Sequence, residues 1–258
     1  MTSFFSKKYN GLLMRLKYSS LGIFYLKSSD IQIPNELKIN GSFKKINFLD
    51  RKHKFFSYEF REICINDCYH LHVLKNQLNR IENIIDIGAN QGLFTIAARQ
   101  QFSKAKISCY EPNKELQSVL DHNSKQLNAQ VWYEAVTKED CKVELEFGET
   151  DLQNTTKFSL NGEITGTAFK KVIERAGGNI DLLKLDCEGA EWELFEDEDS
   201  WKNIRAVTME YHLWARKGSC FDDIKQIIEK LNFNLITHNP ISESFGIITA
   251  IKTGKPKI

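Results

Sequence analysis

From about residue 81 to residue 252, apolar runs of strand length alternate with stretches of helical period, and nothing else in the chain constrains its fold as strongly. The strand candidates are NIIDI (83–87), KISCY (106–110), QVWYEAV (130–136), IDLLKLD (180–186), AVTMEYH (206–212), FNLITH (233–238) and FGIITAIK (245–252). Helical patterns fall at 93–102, 114–127, 167–176, 190–201 and 221–231, with Ser219 or Asp222 expected to cap the last. Strands that alternate with helices imply parallel pairing. The final two runs are joined only by NPISES, so they are expected to form an antiparallel hairpin. A polar insertion at 141–166, beginning CKVELEFGE, is expected to add a hairpin between the third and fourth sheet strands.

Residues 1–80 differ in texture. They hold short aromatic, strand-like runs, GSFKKINFL and HKFFSYEF, and end in a helix-like DCYHLHVLKNQLNRI. The organisation expected is an α+β extension over 1–80 ahead of a domain over 81–258, the extension serving as a homodimer contact or a cover for the acceptor. Arg15 and Lys17 interrupt the N-terminal MTSFFSKKYNGLLMRLKYSS, which excludes a transmembrane span there and argues against a signal peptide. A cytoplasmic location is therefore expected. Lys7, Lys8, Arg15 and Lys17 allow a weak membrane contact, with a solvated tail or helix as the simpler reading. The net charge of +1 argues against nucleic acid as a partner. The six cysteines are scattered, and the C-x3-C of Cys64 and Cys68 lacks a second pair to complete a zinc site.

Two loops carry the functional signal. Asp86-Ile-Gly88-Ala-Asn90-Gln-Gly92 follows an apolar strand and opens a helix, where glycine permits a tight turn and close approach of a ligand. A dinucleotide enzyme would show G-x-G-x-x-G there. The spacing here is G-x-x-x-G with an acid at the strand end, which repels a pyrophosphate and suits cationic groups such as the amine and sulfonium of S-adenosylmethionine. The second strand ends in CYEPN, where Glu111, with Pro112 beside it, is expected at the ribose hydroxyls. Ala135, in EAVTKED after the third strand, is expected near the adenine.

The strand outline matches the class I methyltransferase sheet, Rossmann-like and seven-stranded, mostly parallel, with its last strand inserted antiparallel. IIDIGANQGLFTIAA, YEPN, IDLLKLDCEGAEWELF and MEYH, in that order, resemble the FkbM family of S-adenosylmethionine-dependent methyltransferases over roughly residues 63–252. The resemblance implies methyl transfer to an oxygen, often a sugar hydroxyl of a glycan or glycosylated metabolite. It carries cofactor roles onto Asp86, Gly88, Asn90, Gly92 and Glu111, and the family's fourth-strand signature onto Lys184, Asp186, Glu188, Gly189 and Glu191. The long polar insertion departs from the pattern and leaves the shape of the acceptor pocket open.

A hydroxyl is a poor nucleophile until its proton leaves, so a base or a Lewis-acidic metal is needed beside the cofactor methyl. Asp86, Asp186 and Glu210 are expected to line up along the carboxyl edge of the sheet, with Asp186 also touching the cofactor. His212 is a candidate base, oriented by Glu210, and Asp186 is the other. Lys184 pairs with Asp186 or contacts substrate or cofactor. Asp186, Glu210 and His212 could alternatively hold Mg or Mn. Trp214 could stack on a sugar ring, while Trp192 and Trp201 read as packing residues. Arg216, Lys217 and His238 could reach an anionic acceptor. Rival functions are a methyltransferase for RNA, protein or a non-sugar small molecule, and a cofactor-binding scaffold without catalysis.

Overall fold

The alternation of apolar runs becomes a single sheet in the computed structural model, which describes residues 2–24, 33–49, 51, 54–146, 155–159 and 162–253. The strands before the insertion are β1 (Glu36–Ile39), β2 (Ser42–Lys45), β3 (Asn83–Ile87), β4 (Lys106–Tyr110), β5 (Gln130–Trp132) and β6 (Ala135–Thr137). Then come β7 (Cys141–Glu146), β8 (Thr155–Phe158), β9 (Ile164–Ala168), β10 (Leu182–Leu185), β11 (Ala206–His212), β12 (Phe233–Pro240) and β13 (Phe245–Lys252). The main sheet has seven strands in the order β12-β13-β11-β10-β3-β4-β5. β11, β10, β3, β4 and β5 run parallel, and β13 is inserted antiparallel to both β11 and β12. The class I methyltransferase sheet expected from the strand spacing is present, including its antiparallel hairpin.

The helices are α1 (Thr2–Ser20), α2 (Lys54–Phe60), α3 (Leu71–Gln77), α4 (Leu93–Gln101) and α5 (Gln117–Leu127), then α6 (Phe169–Arg175), α7 (Glu191–Leu194), α8 (Glu198–Trp201) and α9 (Phe221–Lys230). Alternate residues of the central strands face two different cores. Ile85, Leu183, Leu185, Val207 and Met209 point into one, with Phe169, Trp201 and Ile228 of α6, α8 and α9. Ile84, Leu182 and Ala206 point into the other, with Tyr69, Leu74 and Phe94. Among the described residues no helix is long and apolar enough to cross a membrane.

Four expectations need correction. HKFFSYEF is not a strand: α2 takes it up, because Phe56 and Phe60 lie four apart and are buried on one helical face against Phe48. QVWYEAV is broken after Trp132, and Ala135 begins a second, four-stranded sheet, β6-β9-β7-β8, by pairing with Gly166. The hairpin expected of the insertion is there as the antiparallel pair β7 and β8 within that sheet, and residues 147–154, 160 and 161 lie outside the described residues. The helix expected over 190–201 is split, since Asp197 starts α8 by accepting the Ser200 N–H at 3.3 Å. The cap of α9 is Cys220, whose N–H donates to Asp223 Oδ2 at 2.8 Å, not Ser219 or Asp222.

The N-terminal segment is joined to the sheet's own helices. Tyr18, Leu21, Leu37, Ile46 and Phe60 share a buried cluster with Leu93 and Ile96 of α4 and Leu127 of α5. Between β3 and α4 the chain makes its closest approach to β10. Gly88 has φ +75°, and a Cβ placed there would lie 1.8 Å from the carbonyl oxygen of Asp186. No side chain fits that space, because its obstacle is backbone. Gly88→Ala should therefore force β3 and β10 apart at their carboxyl ends. The expected outcome is a loss of about 3 kcal/mol or more in denaturant unfolding, together with loss of S-adenosylhomocysteine binding by calorimetry.

Candidate active site

Strand register decides which acids meet at the carboxyl edge. Pairing of β10 with β3 sets Lys184 level with Asp86 and Leu185 level with Ile87. Pairing of β10 with β11 sets Leu185 level with Met209. Asp186 is thus level with Glu210 and sits two residues beyond Asp86, so the three acids are staggered rather than aligned. Alternation puts Asp86, Lys184, Asp186, Glu210 and His212 on the same face, the one covered by Tyr69 and α4.

Lys184 is 2% exposed. Its Nζ lies 3.3 Å from Asp86 Oδ1 and 3.5 Å from Asp186 Oδ2. It also donates to the carbonyls of Gly88 at 2.7 Å and Ile87 at 3.2 Å. Burial works to lower its pKa, but Asp86 and Asp186 outweigh it and hold the ammonium charged. Asp86 is fully buried and accepts the Thr95 hydroxyl at 2.9 Å. Burial raises its pKa, with Lys184 and Thr95 opposing. The expected pairing of Lys184 with Asp186 is present, and Asp86 joins it; together they tie the end of β3 to β10.

The glycine-rich loop is ordered from β4. Gly88 and Ala89 donate to the Tyr110 carbonyl at 3.0 and 3.1 Å. Asn90, left-handed with its side chain exposed, donates its N–H to Glu111 Oε2 at 2.8 Å. Asn113 donates to Glu111 Oε1 at 2.9 Å, Pro112 is half-buried between them, and Gly92 at φ +89° opens α4. Glu111 is therefore a loop organiser, and each of its oxygens keeps one lone pair for a ligand hydroxyl. Ala135 is buried in β6. Its neighbours are engaged within the protein: Glu134 accepts from Thr167 at 2.6 Å and Arg175 at 2.8 Å, Thr137 donates to the Glu139 carbonyl at 2.8 Å, and Asp140 pairs with Lys171.

Beyond β10 the chain turns sharply into α7 through Glu188 at φ +51° and Gly189 at φ +101°. This brings Glu191 under β11. Glu191 is fully buried; its Oε1 accepts both the backbone N–H of His212 at 2.8 Å and His212 Nδ1 at 3.0 Å, and its Oε2 accepts the Gly189 N–H at 2.9 Å. Trp192 Nε1 donates to the His212 carbonyl at 2.8 Å. Glu191, not Glu210, orients the imidazole. Nε2 instead faces Glu188 at 3.6 Å and Glu210 at 3.7 Å. Burial works to lower the His212 pKa, yet Glu191, Glu210 and Glu188 together push it up to about 11. The direction of this shift, toward the charged imidazolium, runs against the general-base role expected of His212.

Two further residues come from outside the expected site. Tyr69 is 3% exposed, and its hydroxyl donates to Asp186 Oδ2 at 2.9 Å. Its carbonyl is held by the Thr208 hydroxyl at 3.0 Å. Glu59 of α2 has its pKa pushed up to about 7 by burial, reinforced by the charges of Asp186 and Glu210. Glu188 is likewise pushed up to about 8, first by burial, and Glu210 is raised by burial and by Asp186. No motif marks Tyr69 or Glu59; only the covering of this sheet face by residues 54–77 brings them in. Ligand atoms of Asp186, Glu188 and His212 lie within 4.8 Å of one another, so Glu188 takes the place expected for Glu210 in a metal triad.

At the rim, Trp214 is exposed and lies edge-on to His212, with ring centroids 5.5 Å apart. Trp201 is fully buried, and its Nε1 donates to the Leu194 carbonyl. The Arg216 guanidinium lies 5.2 Å from the Trp192 ring centre. His238 is stacked on Phe221 at 3.6 Å, with Tyr211 Oη 3.0 Å from its Nε2, and both Arg216 and His238 are exposed.

A class I sheet, a glycine loop ordered by an acid on the second strand and an acid-rich fourth strand end together define a methyltransferase. The model of the methyltransferase FkbM domain matches residues 86–235, and the chain belongs to that family. A curated relative, methyltransferase sdnD of Sordaria araneosa, is 24% identical over 237 residues, covering 74% of this chain and 88% of its own. Similar solved structures include precorrin-6y C5,15-methyltransferase of Geobacter metallireducens, 13% identical with TM-score 0.43, covering 71% of this chain and 87% of that one. Magnesium protoporphyrin IX methyltransferase of Synechocystis is 11% identical with TM-score 0.42, covering 72% and 80%.

The raised His212 pKa has a consequence for stability. Its contribution is fully present below the unfolded value of about 6.5 and is lost as pH rises through about 11. The stability gap between the wild-type chain and His212→Gln, measured by urea unfolding across this range, should be widest at the acid end and narrow steadily toward alkaline pH. A constant gap would show that the residue contributes through packing alone.

Proposed function

We propose that this methyltransferase uses S-adenosylmethionine and transfers the methyl group to a hydroxyl oxygen of a sugar in a glycan or glycosylated metabolite. The observation that carries the proposal is the gathering of Asp186, Glu188, Glu210 and the Glu191-held His212 at the end of β10 and β11, next to the glycine loop. A hydroxyl acceptor needs its proton removed, and the carboxylates gathered here are the groups able to take it. The loop from Gly88 to Gly92 and the spare lone pairs of Glu111 suit the ribose end of the cofactor.

In this reading the cofactor supplies an activated methyl group, and the chain's own task is to position and desolvate. Asp186, steered by Tyr69, takes the acceptor proton, with Glu210 level with it on the neighbouring strand. The His212 imidazolium, fixed by Glu191, offers its Nε2–H as a hydrogen-bond donor to the acceptor. Trp214 gives a ring face at the entrance, suited to a sugar. The segment from Glu59 to Tyr69 closes the acceptor side, which makes the N-terminal extension a cover for that substrate.

A second reading is favoured by the convergence of Asp186, Glu188 and His212. These residues would hold Mg or Mn, a Lewis acid that makes a hydroxyl more acidic. Unchanged turnover after EDTA treatment removes that reading and leaves the proton-transfer one.

The test has two stages. Calorimetry should show S-adenosylhomocysteine binding by the wild-type chain, and also by Asp186→Asn. With labelled S-adenosylmethionine and a panel of glycans and glycosylated metabolites, the methyl group of the product should appear on oxygen by NMR. Asp186→Asn should then lower kcat on the order of 10²–10⁴-fold. A product methylated on nitrogen or carbon would overturn the hydroxyl assignment.

A further inference from the structure

The charge of this chain is unevenly distributed. Residues 1–49 hold eight Lys and Arg against two Asp and Glu, a net +6 in a chain whose total is +1. Strong asymmetry of this kind, confined to one end, points to an anionic surface as a partner. Within α1, residues 2–20 contain four of these cations and no acid.

Where its side chains are described, from residue 11 onward, α1 is docked on the protein by one stripe. Tyr18 is fully buried, Met14 packs beside it, and Leu21 follows just past the helix end, all in the cluster shared with Leu93 and Ile96. Leu12 and Leu16, four residues apart, point the opposite way and are 57% and 58% exposed. Leu13 is exposed beside them, and Arg15 and Lys17, also exposed, flank the leucines. Past the helix end, Phe24 is 95% exposed. The exposed ring of Phe43 lies against Gly22, where an added Cβ would meet it at 2.9 Å, and the next residues are Lys44 and Lys45.

Single exposed leucines are ordinary on a protein surface. A leucine pair directly opposite the packed stripe, flanked by cations and followed by two exposed phenylalanines, is a different arrangement. It has the two components that hold a helix in the plane of a bilayer: apolar side chains for the acyl boundary and lysine or arginine for anionic headgroups. α1 does not have the length and apolarity of a spanning helix, so it would lie on the membrane rather than cross it.

We propose that α1, with Phe24 and Phe43, docks the protein onto the surface of an anionic lipid bilayer. Leu12, Leu16 and the two phenylalanines enter the headgroup boundary, while Arg15, Lys17, Lys44 and Lys45 meet the lipid phosphates. This docking does not depend on what the active site methylates, and it presents the enzyme to acceptors held at a membrane.

The test uses the full chain and sedimentation with vesicles of phosphatidylcholine, alone or mixed with phosphatidylglycerol. The wild-type chain should bind the mixed vesicles, bind phosphatidylcholine far more weakly, and be released by high salt, which screens the phosphate contacts. The double variant Leu12→Ser, Leu16→Ser should weaken binding about a hundredfold. The double variant Arg15→Gln, Lys17→Gln should weaken it about 25-fold, at about fivefold per cation. Both variants should keep wild-type thermal unfolding and S-adenosylhomocysteine affinity, which separates lost docking from lost fold or lost cofactor site. Failure of the wild-type chain to bind mixed vesicles at low salt would overturn the proposal. So would vesicle binding that either double variant leaves intact. A dimer in light scattering that the leucine variant dissociates, with no vesicle binding by the wild type, would assign the face to a second copy of the chain.

Discussion

A buried ammonium group holds the working end of this sheet together. Lys184 sits between two aspartates on adjacent strands and caps two carbonyls of the glycine loop. An unpaired cation at 2% exposure would be costly, and removing either partner would leave charge stranded in a low-dielectric setting. The arrangement therefore works as a unit. It fixes where the β3 loop turns, which allows Gly88 to pass against the Asp186 carbonyl, and it fixes which oxygen of Asp186 remains for other partners.

Asp186 is the junction between that structural post and the chemistry. Its Oδ2 both meets Lys184 and accepts from Tyr69, while Glu210 stands level with it on the neighbouring strand. Further along, Glu191 performs for His212 what Lys184 performs for Asp86: it fills a buried group's hydrogen-bonding needs and fixes its orientation. Carboxylates crowd the remaining space, and crowding has its own effect. Burial and mutual repulsion raise Glu59, Glu188 and Glu210, so the acids resist ionisation while His212 resists losing its proton.

The N-terminal segment is more than an appendage to the family domain. Sheet strands alternate their side chains, and the face bearing Asp86, Lys184, Asp186 and Glu210 has to be covered by something. Residues preceding the family's matched span provide that cover through Tyr69 and α3, and α2 brings Glu59 toward the same acids. The acid cluster is thus assembled from two stretches of chain more than a hundred residues apart in sequence, as Tyr69 and Asp186 show.

Much of this was legible beforehand. Strands β3, β4, β11 and β13 fall on the apolar runs residue for residue, because buried parallel strands need continuous apolar sequence and helices between them need their own period. The antiparallel hairpin could be read from the short NPISES connection. HKFFSYEF was misleading because aromatic density favours strands locally, and only the packing of Phe56 and Phe60 against Phe48 made it a helix. QVWYEAV read as one strand because its break depends on Gly166, distant in sequence.

The same division holds for the site. The sequence by itself determined the class of fold, the glycine loop and the acids at the ends of the strands, since these follow from local period and residue type. It also showed that Lys184 lay inside an apolar strand and needed an anion. Which anions it found, that Glu191 rather than Glu210 grips His212, and that Tyr69 holds Asp186 were decided by tertiary structure alone. Strand register, a left-handed turn at Glu188 and the face covered by a preceding segment are properties of distant residues brought together, and no local pattern encodes them.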